Sequence, residues 1–145
     1  MRIYLSSSWH RREEMRMYAV RLGVAGHIVT SRWINIGQHE DKEIVLEHSK
    51  VASLYADEDL ADINRCDMFV QFTSCGQYSR GGHHVELGYA IALGCEIAII
   101  GQCQNIVHML DDTMVYENFE DFIEDYLETQ SKALRKSRSV RTIRR

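Results

Sequence analysis

A chain of 145 residues, 45% apolar and 26% charged, is sized for one globular domain that buries its own core. No apolar stretch is long enough to cross a bilayer, and no charged-then-apolar leader with a cleavage site opens the sequence, so a cytoplasmic protein is expected. The net charge of −4 divides unevenly, −11 before Ser131 and +7 after it, which argues against a polyanion as the ligand of the main body.

Arg2-Ile3-Tyr4-Leu5-Ser6 is short and rich in strand formers and reads as a first strand. Ser6-Ser7-Ser8 then offers cap-competent residues before a helical run from about His10 to Leu22. Met15, Tyr18, Ala19 and Leu22 recur in it at helical spacing and are expected in the core, with Gly23 and Gly26 ending it. His27–Thr30 reads as a second strand reaching Trp33, where a half-buried core indole is favoured over a stacking wall for a base.

A polar loop over 35–41 contains Gly37, and the pattern is helical from Glu43 to Arg65. Asp67 opens a third strand through Phe72, and Gly82 opens a helix that ends near Gly94. Glu96–Ile100 is a fourth, wholly apolar-facing strand, and Ile106–Leu110 a short helical turn. Met114–Tyr116 is a fifth strand, after which Asn118 caps an acidic helix from Phe119 to Leu134.

Strands alternating with helices predict an α/β domain, Rossmann-like (flavodoxin-like) and three-layered, with about five parallel strands. The domain is expected over residues 1–130, followed by a basic tail over 131–145. That tail either touches nucleic acid or simply solvates the terminus, and the second reading is preferred. Cys66, Cys75, Cys95 and Cys103 form no C-x-x-C pair and are expected to be reduced thiols. The seven histidines include no H-x-x-x-H or H-E-x-x-H, so no metal or other cofactor is expected.

In such a fold the ligand binds at the carboxyl ends of the strands, which brings the loops at 6–12, 73–82 and 101–108 together. Arg80-Gly81-Gly82 allows close backbone approach at a helix start, and Glu86 follows in the first turns. Asp59 is a second carboxylate, two turns before the end of the helix that feeds strand three. Two carboxylates around one anomeric carbon can divide attack from proton transfer. The bland alternatives are a solvated acidic face at 57–62 and, for Glu86, an acid complementing the helix dipole.

These segments resemble the nucleoside 2-deoxyribosyltransferase superfamily, which includes the 2′-deoxynucleoside 5′-monophosphate N-glycosidases. The likeness lies in Ile3-Tyr4-Leu5-Ser6, in Glu58-Asp59-Leu60-Ala61-Asp62-Ile63 through Asp67, and in Gly82 through Glu86-Leu87-Gly88-Tyr89-Ala90, spanning roughly residues 2–110. The resemblance implies Glu86 as the nucleophile that forms a glycosyl-enzyme, Asp59 at the base or proton-transfer step, and Tyr4 steadying the nucleophile or sugar. It also implies a 5′-phosphate near Ser7, Ser8 and Arg11, with Arg80 and Gly82 closing the pocket from the second loop. The family's glycine-rich phosphate loop is absent and Trp9 is bulky, so helix capping competes for those serines.

His83 and His84 depart from the family pattern; His83 is a candidate for contacting base, hydroxyl or phosphate. Asn105 and His108 align with a segment that a neighbouring subunit supplies in the family, which implies a homodimer or larger homo-oligomer with shared sites. The expected ligand is a small nucleoside or nucleoside monophosphate, with no membrane partner. Hydrolysis and transfer stay equally open. A non-catalytic nucleotide-binding or sensing module on the same scaffold is the alternative.

Overall fold

The computed structural model describes residues 1–36, 49–73 and 81–127. Five strands form one all-parallel sheet: β1 (Arg2–Ser6), β2 (Ile28–Val29), β3 (Met68–Phe72), β4 (Glu96–Ile100) and β5 (Thr113–Tyr116). Their spatial order is β2-β1-β3-β4-β5, the doubly wound order whose switch point falls between β1 and β3. The helices are α1 (Arg12–Val24), α2 (Ser49–Asn64), α3 (Gly82–Ala92) and the single turn α4 (Phe119–Phe122). The α/β class and the parallel five-stranded sheet expected from the sequence are those observed.

Alternation along the strands divides the core into two layers. Tyr4 stacks on Phe69 with ring centroids 5.5 Å apart, as their direct pairing across β1 and β3 requires. Phe72 points the other way and stacks at 5.3 Å on Tyr18 of α1, which itself stacks on Phe119 at 3.9 Å. The α1 stripe is seated as expected, with Met15 and Leu22 fully buried. Asn118 caps α4, its side chain accepting from the Asp121 N–H at 3.0 Å, and the chain continues as a π-helical turn over Ile123–Leu127.

Several boundaries differ from expectation. β2 keeps only two residues, because Arg32–Asn35 winds into a 3-10 turn rather than leaving an extended step. Its cause is tertiary: the Trp33 indole N–H donates to the Leu5 carbonyl at 2.8 Å, and Trp33 is buried. A 3-10 turn at Trp9–Arg11 precedes α1, which runs through Gly23 to Val24. The 43–48 part of the expected second helix, Cys75, Arg80 and the 131–145 tail lie outside the described residues.

Asp62 departs from the solvated acidic face read for 57–62. It is fully buried, accepts from the Arg32 backbone N–H at 2.9 Å and from Arg32 Nε at 2.8 Å, and also pairs with Arg65. That carboxylate ties α2 to the turn after β2. Among the described residues no helix is long and apolar enough to cross a membrane.

Candidate active site

The switch point gathers the groups that matter. Ser6 is the last residue of β1 and fully buried, and its hydroxyl donates to Glu86 Oε2 at 2.7 Å. Glu86 projects from the second turn of α3, whose inner face is fixed by buried Leu87 and Ala90. The helix begins where Gly81 takes φ +88°, a conformation open chiefly to glycine. The turn from β3 into α3 thereby delivers a carboxylate to the ends of β1 and β3.

Tyr4 lies two residues before Ser6 on the same face and is wholly buried. Among the described residues its hydroxyl has no partner in good hydrogen-bond geometry, and its phenol is held well above its ordinary range, by burial first, then by the charges of Glu86, Asp59 and Asp62, and by a weaker hydrogen-bonding approach of Asp59. Asp59, Glu86 and Tyr4 therefore share one electrostatic neighbourhood, although they come from three separate elements. A phenol kept protonated in this way is a permanent hydrogen-bond donor.

The loop after β1 supplies a different set. Among the described residues Ser7 and Ser8 have buried hydroxyl oxygens without partners, and Ser8, the residue before the 3-10 turn, makes no side-chain cap. The capping role considered for these serines is thus not the one observed. Arg11 is engaged already: Nε and Nη2 donate to the two oxygens of Glu14 at 2.7 and 2.8 Å, and Nη1 to the Thr73 carbonyl at 3.2 Å. The same ion pair holds the Glu14 carboxyl below its usual range. Arg12 lies over the Trp9 ring at 4.5 Å.

Asn105 and His108 meet His84 within one chain. The Asn105 carbonyl oxygen accepts from the Val107 and His108 backbone N–H groups at 2.9 and 3.3 Å, which fixes its amide nitrogen toward His84 Nδ1 and His108 Nε2, each at 3.2 Å. His108 is buried, and its Nδ1 accepts from the Gln104 N–H at 3.2 Å. Burial and the neighbouring His84 hold the His108 imidazole below its ordinary pKa. The His83 and His84 rings lie 4.1 Å apart at the start of α3, and Gly82 is that helix's first residue.

Ser6 was not foreseen as a site residue, nor was Gln71 of β3. The signals were a serine in step with Tyr4 on a strand and a lone amide inside Met68-Phe69-Val70-Gln71-Phe72. Gln71 is fully buried, and both its amide atoms lack partners among the described residues. An open concavity of about 690 Å³ lies at the other edge of the sheet, with Ile91, Cys95, Leu110, Asp112 and Met114 among its walls. No candidate residue borders it; the chemistry-bearing groups converge at the opposite strand ends. Among the described residues no cluster of His, Cys, Asp and Glu is arranged to hold a metal ion.

No protein-family model matches the sequence, and no curated protein does. Solved structures do match. A CMP N-glycosidase (BcmB) of Clostridium botulinum is 18% identical over 90% of this chain and 98% of its own, with a TM-score of 0.51. A 2-deoxyribosyltransferase of Bacillus psychrosaccharolyticus is 22% identical over 87% of this chain and 92% of its own, with a TM-score of 0.64. What is shared is the fold. Both neighbours are enzymes of nucleoside or nucleotide chemistry, and both carry the architecture the sequence predicted.

Proposed function

We propose that this protein cleaves the N-glycosidic bond of a nucleoside or nucleoside 5′-monophosphate, with Glu86 as nucleophile. The observation that carries this reading is the Glu86 carboxylate, held by Ser6 at the switch point beside a protonated Tyr4 and a second carboxylate, Asp59. The two fold neighbours, a CMP N-glycosidase and a 2-deoxyribosyltransferase, have activities of the same kind.

In the first step a Glu86 oxygen attacks C1′ and the C1′–N bond breaks. Its electron pair leaves with the base, which takes a proton from Asp59 in its acid form. In the second step water, or the ring nitrogen of another base, attacks C1′ and the ester C–O bond breaks. Glu86 returns as carboxylate, and Asp59 accepts the proton from the incoming nucleophile. Tyr4 stays neutral throughout and donates to the sugar or to the Glu86 carboxylate.

A 5′-phosphate suits the buried, unpartnered hydroxyls of Ser7 and Ser8, with Arg11 turning from Glu14 toward the anion. Gly82 and His83, at the start of α3, lie on the second-loop side of the pocket, where His83 is a candidate to contact base, hydroxyl or phosphate. Asn105 and His108 shape the wall beside His84, and a neighbouring copy completes the site in a homodimer or larger homo-oligomer. Residues 1–130 form the catalytic domain and 131–145 a basic tail. The test is a panel of nucleosides and nucleotides, CMP and dCMP among them, incubated with and without an acceptor base and read by mass spectrometry. Release or exchange of base that Glu86→Gln abolishes supports the reading. Ligand-dependent melting shifts without any turnover point instead to a binding module.

A further inference from the structure

Gln71 occupies a costly position. It is fully buried in the central strand, and among the described residues neither its amide nitrogen nor its amide oxygen has a partner. An unpaired buried polar group is destabilising, so leucine would be favoured at this site if packing were all that mattered. Its surroundings show what the amide is for. Gln71 pairs directly with Ser6 across β1 and β3. Phe69 on Tyr4 and Phe72 on Tyr18 fix the alternation, so the Gln71 side chain leaves the sheet on the face of Tyr4 and Ser6.

The Ser6 hydroxyl has a single proton, committed to Glu86 Oε2. Its two lone pairs then accept an N–H or stay empty. The orphaned donor at the directly paired position is the Gln71 amide. Neighbouring strands lie about 4.8 Å apart, a gap that a glutamine side chain spans by turning its last two torsions. We propose that Gln71 is a positioning residue. Its Nε2–H donates to Ser6 Oγ while substrate is bound, which holds the hydroxyl proton on Glu86 and fixes the plane of the attacking carboxylate. Tyr4 of β1 and Asp59 of α2 share the electrostatic neighbourhood of that carboxylate. The inference rests on the assignment of Glu86 as nucleophile.

The experiment compares wild type, Ser6→Ala, Gln71→Leu and the double variant with CMP and dCMP. Each single variant is expected to lower kcat about tenfold with KM within about twofold, and the double variant to be no slower than Ser6→Ala. Gln71→Leu is expected to melt no lower than wild type; if it fails to fold, Gln71→Met takes its place. Wild-type kcat in the Gln71 variant, or a loss that adds fully to that of Ser6→Ala, overturns the proposal. A second readout is independent of turnover. The 15N side-chain resonance of Gln71, assigned by its disappearance in the variant, is expected to move in Ser6→Ala when CMP is present. A wild type inert on every substrate rejects the proposed function, and an unmoved resonance then rejects the positioning chain separately.

Discussion

Arg11 and Glu14 face each other in a two-pronged ion pair, with both guanidinium contacts under 3 Å, at the entrance to the loop of Ser7 and Ser8. The cation suited to a phosphate is therefore restrained by a carboxylate one helical turn away. Arg11→Ala is expected to raise KM for a nucleoside monophosphate about tenfold while leaving the nucleoside nearly unchanged, the loss of roughly one charge-assisted hydrogen bond. Glu14→Gln is expected to shift the preference the other way. Steady-state kinetics on CMP against cytidine, and on dCMP against deoxycytidine, measure both; equal effects on phosphorylated and unphosphorylated substrates reject Arg11 as the phosphate ligand.

Glu86→Gln keeps the shape of the side chain and removes the nucleophile. Turnover is expected to fall on the order of a thousandfold or more, while a ligand-dependent rise in melting temperature survives. Trapping of a covalent sugar adduct on the wild type, located by peptide mass spectrometry, would place the bond on this residue.

Tyr4→Phe separates stability from activity. Among the described residues the buried phenol oxygen has no partner in good hydrogen-bond geometry, only the weaker approach of Asp59, so its removal is expected to leave the melting temperature unchanged or higher. Turnover is expected to drop about tenfold or more, because the protonated donor beside Glu86 and Asp59 is gone. A variant that is less stable yet fully active contradicts the assignment.

Asp62 is a structural carboxylate. Asp62→Ala strands the turn after β2 and leaves Arg32 and Arg65 without their shared partner. Both guanidinia are about half exposed, so the expected cost sits toward the low end for a buried pair, about 3 kcal/mol. Urea denaturation reads it directly.

His108 gives stability a pH dependence of known sign. Its folded pKa is lowered from 6.5 by burial and by His84, so the unfolded chain binds the proton more readily. Stability is then full above the unfolded value and declines as pH falls below about 6.5, levelling off only once pH has passed the lower folded value. His27, lowered by burial and the N-terminal charge, contributes in the same direction. His108→Asn is therefore expected to flatten the slope between pH 7 and 5 in part, as followed by thermal melts; an unchanged slope rejects the assignment.

Local pattern carried much of this. The continuous apolar run of Glu96–Ile100 gave the bounds of β4, and Asn118 marked a helix start that the structure caps as expected. The position of Glu86 early in a helix was legible from the glycine pair before it. Less legible was the 3-10 turn at Arg32–Asn35, since it depends on a hydrogen bond between Trp33 and a strand 28 residues away. Asp62 looked like its acidic neighbours because only Arg32, 30 residues earlier, marks it as buried.

The sequence by itself determined the order of strands and helices, that the sheet is parallel, and that Glu86 falls in the early turns of a helix, because hydrophobic period and turn chemistry are local properties. The tertiary structure alone decided that Ser6 holds Glu86 across 80 residues of chain, that Gln71 pairs with Ser6 across β1 and β3, and that Arg32 holds Asp62 across 30. Those relations follow from strand register and helix packing, which bring together side chains that no spacing along the chain relates.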